Sequence, residues 1–140
     1  FLFPILILLI VYTFDFFYGS FYTQVKKTMG VIKNQCMPKN SVTEDQVGRI
    51  EEGVFPEDRN VKCYVACIYK SLQVIKNERL DAALISKQVD ILYPPDLKEP
   101  TKKAVAICIN YQDQYDDMCD GVFAAVKCLY EQNPASFIFP

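Results

Sequence analysis

The sequence predicts an all-α fold, a six-helix bundle tied together by disulfides, and three observations carry that reading. Apolar residues recur at helical spacing in stretch after stretch. Prolines and N-cap residues punctuate the gaps between the stretches. The chain also holds six cysteines, an even number, in only 140 residues.

The centre of the bundle is residues 58–75, where Val61, Val65, Ile68, Leu72 and Ile75 form one helical stripe. Cys63, Cys67 and Val74 fall roughly opposite, because a helix turns about 100° per residue. Two apolar sides place this helix inside a bundle rather than on its surface. Before it, residues 21–36 repeat Val25, Met29 and Ile32 as a first amphipathic helix that Met37-Pro38 should break. Thr43-Glu44-Asp45-Gln46 is a capping-box pattern for a short second helix through Val47 and Ile50 to Gly53. Asp58 is the expected N-cap of the central helix, which should dissolve in Lys76-Asn77-Glu78-Arg79. Asp81 caps a fourth helix with Leu84, Ile85 and Val89 inward, ended by Pro94-Pro95. A fifth helix should begin near Glu99-Pro100 and bury Val105, Cys108, Ile109 and Tyr111. After a polar joint at residues 113–117, a sixth helix carries Met118, Val122, Val126 and Leu129 as far as Asn133-Pro134. The last five residues, Ser136-Phe137-Ile138-Phe139-Pro140, are too apolar for a solvated tail and should pack against or into the core.

Residues 1–18 are apolar except for Pro4, Thr13 and Asp15. Residues 1–20 are expected to be a secretory signal peptide without its initiator Met and basic start, cleaved near Gly19 or Ser20. The competing reading is a membrane anchor, disfavoured by Asp15 and by the lack of a basic flank immediately afterwards. Residues 21–140 are then one domain, with no stable membrane insertion once the leader is gone. Loss of Asp15 leaves the 15 basic residues facing one acid fewer than the 17 of the full chain. That near-neutral balance predicts no nucleic-acid footprint. There is no histidine, which removes His-based triads and most zinc sites, and the cysteines are spoken for as bridges. No enzyme, no metal site and no cofactor are expected.

Cys63 and Cys67 project side by side from one helix face, and Cys119 and Cys128 point to opposite sides of another, so neither pair can bridge internally. Of fifteen possible pairings of six cysteines, ten survive that argument, and helix geometry goes no further.

The spacing Cys36-x26-Cys63-x3-Cys67-x40-Cys108-x10-Cys119-x8-Cys128 resembles the signature of the insect odorant-binding proteins, including the pheromone-binding proteins. Within that family the chain looks most like the alcohol-binding LUSH type, which shares the Pro-Pro step and the F-x-aromatic-Pro end. The resemblance implies bridges Cys36–Cys67, Cys63–Cys119 and Cys108–Cys128 around an apolar cavity. It also implies a secreted carrier of small hydrophobic volatiles that serves olfactory receptors as a monomer or weak dimer. Counting from the matched cysteines and prolines, it puts Ile32, Tyr69, Leu72, Val74, Leu80, Leu92, Leu129, Phe137 and Phe139 around the ligand. Ordinary core packing explains each of these just as simply.

Two departures matter. Tyr69 and Val74 stand where the alcohol binders have a Ser and a Thr, so the two-hydroxyl clamp is lost and only the Tyr69 hydroxyl remains. Larger, weakly polar volatiles are expected to bind better than short alcohols. The tail salt bridge of the LUSH type is also absent, since Lys103 remains but Pro134 occupies the acid's position. Asp113, Asp116, Asp117 and Asp120 do not make a calcium loop. A loop begun at Asp116 would place Met118 and Lys127 where oxygen ligands are required.

Overall fold

A computed structural model describes residues 2–140, with the side chains of residues 15, 17, 18 and 20–22 outside the description. Asp15, Tyr18 and Ser20, on which the expected leader and its cleavage point rest, are among those side chains. The described residues form six α-helices: α1 (Phe3–Lys39), α2 (Glu44–Val47), α3 (Arg59–Ser71), α4 (Ala82–Leu92), α5 (Pro95–Cys108) and α6 (Met118–Gln132). Short 3₁₀ turns follow at Ile50–Glu52, Ile109–Gln114 and Pro134–Ser136. Two two-residue strands, β1 (Ile75–Lys76) and β2 (Arg79–Leu80), pair antiparallel between α3 and α4.

The first helix is longer than its apolar repeat suggested and runs through Pro38. A proline removes one backbone bond and crowds the carbonyl four residues back, a cost that surrounding packing can outweigh. Here the chain leaves one residue later: the Asn40 side chain donates to the Cys36 carbonyl at 2.9 Å, and Ser41 takes φ +54°. Residues 25–39 lie on the bundle through Val25 and Met29, both buried. Leu2 to Val11 extend away from it with their apolar side chains exposed.

Asp58 caps α3, accepting from the Asn60 and Val61 backbone N–H groups at 2.8 and 3.3 Å. The helix buries Val61, Tyr64, Val65, Ala66 and Ile68. It ends at Ser71, earlier than its apolar stripe suggested, through a Schellman turn in which Gln73 sits at φ +61°. Val74 and Ile75 therefore leave the helix, and Ile75 pairs with Leu80 in the hairpin. Asn77 and Glu78, both at positive φ, make its two-residue turn. The polar run read as a dissolving helix end is thus a hairpin turn. Gln112 closes the hairpin from the side, accepting from the Leu80 N–H at 2.9 Å and donating to the Leu80 carbonyl at 3.0 Å.

Helix α5 starts at Pro95 rather than near Pro100, because Pro95 already supplies the preset first-turn φ. Pro100 lies inside the helix and forfeits a single bond. After Cys108 the chain tightens into a 3₁₀ turn, so Tyr111 faces solvent at 45% exposure and Gln112 points inward instead. Asp81 caps α4 and Asp117 caps α6.

Each bridge joins two helices: Cys36–Cys67 ties α1 to α3, Cys63–Cys119 ties α3 to α6, and Cys108–Cys128 ties α5 to α6. Their Cα separations of 5.8, 4.7 and 5.6 Å lie within ordinary disulfide geometry. With 31, 56 and 20 residues between partners, the chain-entropy account assigns each bridge about 3–4 kcal/mol. The C-terminal tail is buried through Phe137, Ile138 and Phe139, and Gly53 shows how tightly its surroundings fit. At φ +91° any added Cβ would fall 2.3 Å from the Tyr130 ring, whose hydroxyl donates to the Glu52 carbonyl at 2.9 Å.

Candidate ligand-binding site

The tail is the floor of the candidate site. Phe137 rests on Tyr130 and Phe55, with ring centroids at 5.5 and 6.1 Å. Phe139 stacks on Phe137 at 6.0 Å and meets Tyr64 edge-on at 6.1 Å. Tyr69 tilts over Phe139 at 6.3 Å. From outside, Lys26 of α1 donates to the Phe139 carbonyl at 3.3 Å and pairs with Glu51. A sequence terminus that would otherwise fray is held by aromatic burial within and an ammonium at its edge.

The interior divides into two apolar clusters. The main one takes in Val61, Tyr64, Val65, Ile68, Val122, Val126, Phe137 and Phe139 among others. The smaller one joins Val25 and Met29 of α1 to Ile138 of the tail. Leu72 and Tyr93 pack against both clusters and are only partly buried, and Leu92 packs against the smaller one. Leu72 and Tyr93 thus mark the seam where the two clusters meet.

All nine sequence-predicted lining residues lie in these clusters. Val74, Leu80, Phe137 and Phe139 are fully buried in the main one, with Ile32, Tyr69, Leu72 and Leu129 partly buried against it. Leu92 ends α4 and faces the smaller cluster. Leu80 comes from β2 rather than from a helix. Of the nine, Leu72 is the one that packs against both clusters.

Sequence reasoning missed Tyr93 and Tyr64. Tyr93 could have been found: it precedes Pro94, which forces it out of helical conformation to φ −97° and ψ 143° at the end of an inward-facing helix. Tyr64 could have been found too: it is three residues after Val61 and four before Ile68, on the edge of the first apolar stripe of α3.

The tyrosines give the site its polarity. Burial pushes the Tyr69 hydroxyl far above its ordinary pKa, with a smaller contribution from Tyr93. Burial likewise pushes Tyr93 up to about 12, partly countered by a hydrogen bond from the Ile138 backbone. Tyr69 and Tyr93 nonetheless keep accessible surface. Tyr64 differs: it is 0% exposed, and its hydroxyl has no hydrogen-bond partner among the described residues.

The outer surface carries a different chemistry. An open hollow of about 210 Å³ is lined by Arg79, Asp113, Asp116 and Asp117 among others, and none of the nine predicted residues borders it. Two of its acids are engaged: Asp113 pairs with Arg79, and Asp117 takes a two-pronged pair from Arg59 at 2.6 and 2.8 Å. That pair and the Asp120 backbone hold the Asp117 carboxyl well below the usual carboxylate range.

A helical shell held by three interlocked bridges, with an aromatic floor and a seam between apolar clusters, defines a small disulfide-stapled helical module. Comparison with known proteins gives the family: residues 20–132 match the PBP/GOBP family, and the chain belongs to it. General odorant-binding protein 72 of Anopheles gambiae is 26% identical over 117 residues, 84% of this chain and 96% of that one. Among solved structures, Apis mellifera odorant binding protein 5 superposes with a TM-score of 0.77 at 37% identity, covering 84% of this chain and 96% of the other. Odorant binding protein 4 of Chrysopa pallens gives 0.75 at 32%, covering 84% and 97%.

Proposed function

We propose that this chain is a secreted carrier that encloses one small hydrophobic molecule in the seam between its apolar clusters and delivers it to a chemosensory receptor. Residues 1–20 serve as the signal peptide, and residues 21–140 are the carrier. Ile32, Tyr69, Leu72, Val74, Leu80, Leu92, Leu129, Phe137 and Phe139 form the lining, with Tyr93 added by its place at the seam. The observation that carries this reading is the pair Leu72 and Tyr93, which touch both clusters and remain accessible. Three bridges supply stability that a solid core would otherwise have to provide, so the bundle tolerates internal space. Affinity then comes from filling that space with hydrocarbon, at about 0.8 kcal/mol per buried CH₂.

The fluorescent probe N-phenyl-1-naphthylamine tests the reading. It should bind saturably with one site per chain, be displaced by volatiles, and do so without liposomes. Leu72→Gln, which puts an amide into the seam, should weaken the probe at least several-fold. Binding that does not saturate, or that is indifferent to Leu72→Gln, refutes the proposal.

A further inference from the structure

We infer that the open hollow where the C-terminal ends of α1 and α3 meet is a surface site for a single-chain amphiphile with an anionic head, such as a fatty-acid carboxylate. It is separate from the seam and does not depend on the carrier reading.

The Cys36–Cys67 bridge ties α1 to α3, and each of its cysteines is followed three residues later by a lysine, Lys39 and Lys70. Residues three apart share a helix face, so the bridge brings both lysines to one side of the molecule. They border a hollow of about 550 Å³, a volume within the range of small-molecule sites. Its floor is made by Cys63, Cys67 and Met118, all half-buried, and by the buried Cys119 of the second bridge. Such sulfur-rich walls accept hydrogen bonds weakly and suit a hydrocarbon chain.

The charge at this hollow has one sign. No Asp or Glu is among the described residues that line it, whereas the hollow of about 210 Å³ beside the hairpin is bordered by Glu78, Asp113, Asp116 and Asp117. The ammonium groups of Lys39 and Lys70 make no ion pair among the described residues, while Lys26, Lys33, Lys62, Lys102 and Lys127 each pair with a carboxylate. Both free lysines sit in the last turn of their helices. Two full positive charges outweigh the partial negative charge of two helix ends, about half a unit each. At the rim, the Ser71 hydroxyl meets only the Cys36 sulfur among the described residues, at 3.7 Å, a weak acceptor that leaves its proton for an anion. A carboxylate head answers the two ammonium groups and the hydroxyl, and its chain answers the sulfur floor. An anionic bilayer fits less well. Met118 also borders the acidic hollow, so an extended anionic surface laid here would meet those carboxylates on a chain of net charge −2.

The test uses the disulfide-intact protein with isotope-labelled methionine methyl groups, titrated with decanoate, decanol and decylammonium and read by NMR. Met118 reports the hollow, and Met29, buried beside Ile138 in the smaller cluster, reports the interior. Decanoate should shift the Met118 signal saturably at roughly fivefold lower concentration than decanol, with decylammonium weakest. Adding salt to about 0.5 M should narrow that preference. Lys39→Gln with Lys70→Gln should bring decanoate level with decanol at Met118, whereas Lys39→Arg with Lys70→Arg should keep the preference. Both lysines are exposed and lie outside the proposed lining, so N-phenyl-1-naphthylamine should bind each variant as it binds the unmodified protein. A shift at Met29 without one at Met118 overturns the inference, as does decanol or decylammonium matching decanoate at Met118. Capture by anionic vesicles with no Met118 response to decanoate overturns it in favour of a membrane surface. Failure of the probe to bind the unmodified protein overturns the carrier reading alone.

Discussion

Replacing Phe139 by Ala separates a tail that belongs to the core from one that merely rests on it. Phe139 is 1% exposed and meets Tyr64, Phe137 and Tyr69 at 6.1, 6.0 and 6.3 Å. Burying a phenylalanine side chain contributes about 2–3 kcal/mol. Three aromatic contacts add roughly 0.5 kcal/mol each. The helices around the hole are tied by Cys36–Cys67 and Cys63–Cys119, so they collapse poorly into it and the cavity cost stays. The expected loss is about 4 kcal/mol. For a domain of this size each kcal/mol shifts the midpoint by about 3–4 °C, so Tm should fall by roughly 12–16 °C. Thermal unfolding followed by circular dichroism, under conditions that keep the disulfides intact, measures it. A tail that detached before the bundle melted would cap the loss at its own docking free energy. A shift below about 3 °C would therefore mean that the aromatic floor is not part of the cooperative unit. The near-ultraviolet signal of the stacked rings should vanish in the variant while helix content holds.

Three further outcomes are expected. Tyr64→Phe removes the buried hydroxyl that has no partner among the described residues, and should stabilise the protein by about 1 kcal/mol or leave it unchanged; a clear destabilisation in urea unfolding would show that this oxygen is engaged. The pH dependence of stability should be acidic. Asp117 beside Arg59 and Asp90 beside Lys102 both have pKa values lowered on folding. Their contribution is present above the unfolded carboxylate pKa of about 3.9 and is lost as pH falls through the folded values. Tm should be flat from about pH 7 to 5 and decline below about 4, and Asp117→Asn should flatten that decline. With no histidine in the chain and Tyr93 pushed up to about 12, ligand affinity should stay nearly constant from about pH 7 to 6. A tenfold loss across that window contradicts this.

Helix identity was legible because it depends on local signals. Asp58, Asp81 and Asp117 each hydrogen-bond backbone N–H groups only two or three residues ahead, and such a cap is written in one short stretch of chain. Where sequence reading failed, the competing choice was also local but unmarked by glycine. Gln73, Asn77 and Glu78 take positive φ without being the residue that usually announces it, so a helix end and a hairpin passed for one fading helix. Pro38 and Pro100 misled in the other direction, because a proline costs one bond and packing decides whether that matters.

By itself, then, the sequence determined the helical content, the cysteine framework with ten allowed pairings, and the apolar character of the tail. These follow from periodicity, capping and composition, which act over a few residues at a time. Only the tertiary structure decided which cysteines meet, that the tail becomes a floor between Tyr64 and Tyr130, and that Tyr93 stands at a seam while Tyr111 turns to solvent. Each of those depends on where segments far apart in the chain come to lie. That is settled by burial and crosslinking acting together, not by any pattern readable along one segment.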